Sequence, residues 1–99
     1  MSTRLLLHAS SAEALIRARN NAQNYLKAEP EAQIEIITNA SAVPAALENP
    51  HPTDELLYLC GNTLDKLQLQ PTQANQKVVA AAIVYLVQKQ KEGWIYIHA

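Results

Sequence analysis

Cys60 is the residue of this chain whose type and setting best suit chemistry. It is the only cysteine, and it ends an apolar run over residues 56–60 that is typical of a buried strand. The polar residues that follow predict the start of a helix, where free backbone N–H groups and the positive end of the helix dipole favour an anion such as a thiolate. The sequence therefore makes Cys60 the candidate catalytic nucleophile.

Three interpretations of Cys60 stay open at this point. A thiol at a helix amino terminus has a lowered pKa, so its thiolate could take sulfur from a donor persulfide and pass it to an acceptor thiol without a metal or an organic cofactor. Alternatively, Cys60 is a small buried hydrophobe, and the protein is a non-catalytic oligomeric binding subunit. A redox-sensing thiol is the third alternative.

His8 and Asn39 each follow another apolar run that predicts a strand. Because the carboxyl ends of parallel strands meet at one edge of a sheet, both side chains could line the same edge as Cys60. There His8 could accept a proton or stabilise the thiolate, provided that its strand neighbours the strand of Cys60. Otherwise His8 is hydrogen-bonded in the first loop and Asn39 is an ordinary turn residue.

Asn62 is predicted to cap the helix over residues 64–67. Its neighbour Thr63 belongs to the same cap, and the cap would shape an anion site beside the sulfur. Gly61, Asn62 and Thr63 are therefore candidate binding residues together with His8 and Asn39.

The elements that must position these residues alternate along the chain. Strands are predicted over residues 3–8, 33–38, 56–60, 77–80 and 94–97, with helices between them. The first helix is predicted to begin at Ser10 with a capping box to Glu13, and Ser41 is predicted to cap a short second helix. The alternating start of the second strand favours an edge position, and Gly93 suits a left-handed helix end.

This βαβαβαβαβ order predicts the α/β class: one domain over residues 1–99 with three α/β/α layers and a five-stranded, mostly parallel sheet.

The chain has 99 residues, 48% hydrophobic and 17% charged, with a net charge of −1, so neither nucleic acid nor a membrane is the expected partner. No signal-peptide core or membrane span is expected, which favours the cytoplasm. One cysteine forms no internal disulfide.

Other site classes are disfavoured by spacing. His51 and His98 lack metal-ligand spacing with Cys60 or with each other, so no metal site is predicted. With two glycines the chain lacks the glycine patterns that bind dinucleotides or nucleoside triphosphates. Trp94 and Tyr96 are interpreted as core or interface residues, and the apolar run over residues 83–87 is wide enough for part of it to face another subunit.

Two segments carry a family resemblance. CGNTL at residues 60–64 follows an apolar strand, and QKEGWIYI occupies residues 90–97. This pattern, which extends over the whole chain, resembles the small single-domain members of the DsrE/DsrF-like sulfur-relay family. That family tends to have glycine after the second and fourth strands, whereas this chain has alanine-rich turns there.

The resemblance implies a YchN-like α/β/α fold, assembly into trimers or hexamers, and sulfur donor and acceptor proteins as partners. In active members a cysteine carries sulfur as a persulfide, and Cys60 is the residue to which that role carries over. A sulfurtransferase-like activity is thus an expectation from the resemblance.

Overall fold

A computed structural model describes residues 2–99, in which strands and helices alternate. A short 3-10 helix, Pro52–Leu56, precedes the third strand. The remaining elements are β1 (Arg4–Ala9), α1 (Ala12–Ala28), β2 (Gln33–Thr38), α2 (Ala42–Glu48), β3 (Leu57–Cys60), α3 (Gly61–Leu67), β4 (Lys77–Val79), α4 (Ala82–Lys91) and β5 (Ile95–His98).

All five strands pair in parallel, in the order β4-β3-β2-β1-β5. The predicted α/β class with a parallel five-stranded sheet is confirmed. The carboxyl ends of the strands share one edge of the sheet, as parallel pairing requires. This edge, which contains His8, Asn39, Cys60 and His98, is called the carboxyl edge below.

The prediction of an edge position for β2 is wrong, because β2 is the central strand. The polar Glu35, which suggested a solvated face, is instead covered by α4. Its carboxylate accepts hydrogen bonds from the hydroxyls of Tyr85 at 2.5 Å and Tyr58 at 3.3 Å. A half-buried carboxylate with its own donors therefore gave β2 the alternation of a half-exposed strand.

The sheet has helices on both faces. The register places Leu6 beside Glu35, so both side chains point towards α4, whereas Leu5 and Leu7 point the opposite way, towards Tyr25 of α1. The apolar core lies in the central strands, where Leu6, Ile36 and Leu59 are fully buried. Burial on both faces explains why these strands have continuous apolar runs.

The predicted helix starts are partly wrong. Ser11, and not Ser10, caps α1, and its hydroxyl accepts the Ala14 N–H at 3.1 Å. The error is one residue, because either serine can begin a helix and the choice depends on where the strand before it ends. Ser41 does precede α2, but its side chain makes no capping hydrogen bond, and its hydroxyl donates to the Ser10 carbonyl oxygen at 3.4 Å instead.

The start of α3 also differs from the prediction. Asn62 does not cap this helix, since Cys60 is the capping residue and Gly61 is the first helical residue. The helix begins directly where β3 ends, because the absence of a side chain on Gly61 lets the turn pack against the end of β4. At the far end of α4, Gly93 has a φ of +96°, as expected of a left-handed helix end.

Within residues 2–99, none of the helices combines the length and the hydropathy that crossing a membrane would require.

Candidate functional site

Cys60 lies at the junction of two helix starts. It is the last residue of β3 and immediately precedes α3, and it also contacts the first residue of α4, Ala82. The Ala82 N–H donates to the Cys60 Sγ at 3.4 Å. Because the first N–H groups of a helix have no partner within the helix, this donor is available to the sulfur.

One hydrogen bond to the sulfur of Cys60 comes from the Ala82 N–H, and the backbone of Asn62 and Thr63 and the Thr63 hydroxyl lie beside it. Burial raises the pKa of Cys60, whereas these four groups lower it. Together they hold the pKa of Cys60 below its ordinary value, since hydrogen bonds to the charged form favour that form. The geometry therefore favours a thiolate.

Thr63 joins Cys60 to the turn that follows β2. Its Oγ1 accepts the Ala40 N–H at 3.1 Å, which leaves the hydroxyl hydrogen free to point at the sulfur. Ala40 has a φ of +50°, a left-handed conformation that is uncommon for alanine. The turn thus holds the Thr63 hydroxyl beside Cys60, where it lowers the pKa of the thiol.

Gly61 is required by the close approach of two strand ends. A Cβ at this position would lie 2.9 Å from the Val79 carbonyl oxygen and 3.1 Å from that of Ala80. Both neighbours are backbone atoms, which cannot move aside as a flexible side chain can. Gly61 therefore supports the site by packing, while the Asn62 N–H donates to the Ala80 carbonyl oxygen at 3.2 Å and the Asn62 side chain is exposed.

His8 belongs to a second polar group at the carboxyl edge. Its Nδ1 lies 2.7 Å from the Tyr96 Oη, and its Nε2 lies 3.0 Å from the Asn39 Oδ1. The ring of His98 lies beside it, with 5.3 Å between ring centroids. Burial lowers the pKa of His8, and His98 lowers it further, against the hydrogen bond to Asn39 that raises it. His8 is thus held in its neutral form.

His8 is not placed to act as a base for Cys60. That hypothesis requires neighbouring strands, but β2 lies between β1 and β3. Both ring nitrogens of His8 also have other partners, Tyr96 and Asn39. The turn residues Asn39 and Ala40 link the two groups indirectly, because one contacts His8 and the next contacts Thr63.

Three residues that contribute to these two polar groups were not predicted from the sequence. Ala82 and Ala40 act through backbone N–H groups, and an alanine side chain gives no indication of that role. Tyr96 was interpreted as a core or interface residue, whereas its hydroxyl is a partner of His8. Only the pairing of β5 with β1 brings Tyr96 to this position, and the strand order was not predicted.

Within residues 2–99, no three histidine, cysteine or acidic side chains come together in a way that could hold a metal ion. The two groups described above are therefore built from thiol, imidazole, hydroxyl, amide and backbone donors and acceptors.

No family model matches the chain, and no characterised protein matches it by sequence. A solved structure does resemble it: MTH1491, a protein of unknown function from Methanobacterium thermoautotrophicum, superposes with a TM-score of 0.81 at 19% sequence identity. The match covers 99% of this chain and 100% of MTH1491. At this identity the likeness establishes the shared fold alone, and membership of the DsrE/DsrF-like family stays a prediction from sequence.

Proposed function

We propose that the protein is a cytoplasmic sulfur-relay protein that carries sulfur as a persulfide on Cys60. The single observation that supports this proposal is the position of Cys60 between two helix starts, where the Ala82 N–H donates to its sulfur at 3.4 Å and the neighbouring polar groups hold its pKa below the ordinary value. The thiolate, rather than the thiol, is the nucleophile in sulfur exchange. The resemblance of the sequence to the DsrE/DsrF-like family adds the substrate class, a persulfide.

The reaction consists of two exchanges. The Cys60 thiolate attacks the outer sulfur of a donor persulfide, the donor S–S bond breaks, and the donor leaves as a thiolate while Cys60 becomes a persulfide. An acceptor thiolate then attacks the outer sulfur on Cys60 and restores the Cys60 thiolate. No net oxidation or reduction occurs, so the cycle needs no metal or organic cofactor.

Access to the sulfur requires a local movement. Cys60 is only 5% exposed, and the Ala82 N–H contacts its sulfur directly. We infer that the connection between β4 and α4 moves aside when a donor binds. β4 is suited to this because it is an edge strand of three residues, paired only with β3.

The test is persulfide loading followed by mass spectrometry of the intact protein. After incubation with glutathione persulfide, the wild type is expected to gain the mass of one sulfur atom and to lose it on addition of a thiol acceptor. Cys60→Ser should gain nothing. A matched control carries Ser2→Cys in the Cys60→Ser background, which moves the single thiol to an exposed position away from any helix start. Loading of this control as fast as the wild type would contradict a specialised role for Cys60.

A second function, a non-catalytic oligomeric binding protein, is favoured by a different observation. Cys60 is packed in the core, and α4 leaves Ile83, Val84 and Val87 exposed at 69%, 53% and 42%. Apolar side chains exposed on one helix are typical of a surface that another subunit covers. In this case Cys60 is structural, native alkylation is slow, and Cys60→Ala assembles normally.

Both functions involve a homo-oligomer, which we propose to be a trimer or hexamer on the basis of the family resemblance. Light scattering coupled to gel filtration measures the mass of the assembly. Val87→Lys should reduce that mass if α4 is the contact, whereas Arg17→Glu, exposed on α1 at the opposite face of the sheet, should leave it unchanged.

A further inference from the structure

β5 is attached to the rest of the sheet along one side only. It pairs in parallel with β1, from Ile95 opposite Leu5 to His98 opposite His8, and no strand lies beyond it. One more backbone hydrogen bond, from the Ala99 N–H to the His8 carbonyl oxygen at 2.8 Å, extends this pairing. Ile95 and Ile97 are about half exposed, so apolar burial contributes less here than in the central strands.

The side-chain contacts across this pairing depend on the charge of His8. Asn39 Oδ1 can only accept a hydrogen bond, so the His8 Nε2 carries a hydrogen. In the neutral ring the Nδ1 then has none, and it accepts the Tyr96 hydroxyl hydrogen. The hydrogen bond between β5 and β1 therefore fits neutral His8.

Protonation of His8 disturbs this arrangement in two ways. The Nδ1 becomes a donor, so the Tyr96 hydroxyl must turn its oxygen towards the ring and find another acceptor for its hydrogen. The positive ring would also face His98, whose ring centroid is 5.3 Å away. Tyr96 and His98 are the titratable side chains that β5 presents to His8, and the turn after β2 presents the uncharged Asn39. Within residues 2–99, no acidic side chain forms an ion pair with His8 to compensate its charge.

We propose that His8, Tyr96 and His98 form an acid-sensitive latch that holds β5 on the sheet while His8 is neutral and releases it when His8 is protonated. The proton comes from solvent, and no bond other than the hydrogen bonds changes. This local opening is independent of sulfur transfer by Cys60, because β5 lies at the opposite end of the strand order from β4 and β3.

Hydrogen–deuterium exchange of the whole protein tests the latch. Protection factors, which correct for the intrinsic pH dependence of exchange, are measured for the amides of β5 and of the central strand β2. Between about pH 7.5 and about pH 5, where histidine changes charge, protection of β5 relative to β2 is expected to fall by about fivefold, the factor that corresponds to the loss of one hydrogen bond of about 1 kcal/mol.

Two variants keep the test decisive. His98→Gln replaces the imidazole that neighbours His8 with an uncharged side chain and should retain a smaller fall, while Tyr96→Phe should lower the protection of β5 already at neutral pH. Equal pH dependence of β5 and β2 in the wild type would overturn the latch. So would a fall in His98→Gln as large as that of the wild type.

Discussion

Cys60 and His8 share an edge and a face of the sheet, yet their surroundings favour opposite charge states. The register aligns His8 with Ile37 and Ile37 with Tyr58, which lies two residues before Cys60, so both side chains point towards α4. Cys60 receives a hydrogen bond from the Ala82 N–H, and the polar groups beside its sulfur hold its pKa below the ordinary value. His8 has one donor and one acceptor, and burial together with His98 lowers its pKa, which keeps the ring uncharged.

The difference comes from how each strand ends. β3 passes directly into α3 beside the start of α4, so free backbone N–H groups converge on the residue at that junction. β1 ends one residue after His8 and lies between β2 and β5, whose side chains supply complementary partners for a neutral ring. Helix starts at a strand end thus make an anion site, whereas side chains from neighbouring strands make a neutral hydrogen-bonded network.

The largest effect is expected from breaking the junction at Cys60. Gly61→Ala places a Cβ 2.9 Å from the Val79 carbonyl oxygen, so the backbone of β4 or α3 must shift. We expect a loss of about 1–3 kcal/mol in the free energy of unfolding, the usual range for overpacking, measured by urea denaturation. Asn62→Ala, at the neighbouring exposed side chain, is the control and should change it by less than about 0.5 kcal/mol. Equal stability of both variants would contradict the close approach.

Thr63→Val removes one of the donors to the sulfur but preserves the shape of the side chain. Alkylation of Cys60 by iodoacetamide near neutral pH is expected to slow by about tenfold, because a hydrogen bond to a charged group contributes about 1.5 kcal/mol. Thr63→Ser keeps the hydroxyl and is expected to react like the wild type. If Thr63→Ser slows the reaction as much as Thr63→Val, packing rather than the hydroxyl governs the thiol.

Tyr96→Phe tests the second group alone. It leaves the Nδ1 of half-buried His8 without its donor, and we expect a loss of about 1 kcal/mol in the free energy of unfolding, measured by urea denaturation above pH 7. The pH profile of Cys60 alkylation should not change, because β2 separates the two groups. A parallel change in that profile would mean that the groups act as one.

The smallest effect is the pH dependence of stability. His8 has a lowered pKa, so its contribution is present above the ordinary histidine pKa of roughly 6.5 and is lost as the pH falls from there through the folded-state pKa. The lowered pKa of Cys60 adds stability as the pH rises through it, and the gain is complete above the free thiol value of roughly 8.5. The difference in unfolding free energy between the wild type and Cys60→Ala should therefore vary with pH only in the range in which Cys60 loses its proton. A constant difference there would contradict a favoured thiolate.

The sequence predicts the elements of this fold better than their arrangement. Central parallel strands such as β1 and β3 are buried on both faces, so their apolar runs identify them without knowledge of their neighbours. Strand order depends on contacts between distant parts of the chain, which is why β2 was predicted at an edge. The same limit affects His8, because its partner Tyr96 belongs to β5, far along the chain.

The site itself was predicted in part. The position of Cys60 before a helix follows from local pattern, and so does the involvement of Thr63. The Ala82 and Ala40 N–H groups were missed, because backbone donors can be supplied by almost any residue type. Gly61 could have been recognised as a position of close backbone approach, since a glycine at a strand-to-helix junction often has that role.

The proposed function depends on surroundings of Cys60 that lower its pKa and favour its thiolate. The most direct measurement is the rate of Cys60 alkylation in the native protein as a function of pH, compared with a blocked free cysteine under the same conditions. We predict a midpoint below that of the free cysteine, and we expect it to move upward in Thr63→Val. A midpoint at or above the free value would contradict the claim and leave Cys60 as a structural residue of the core.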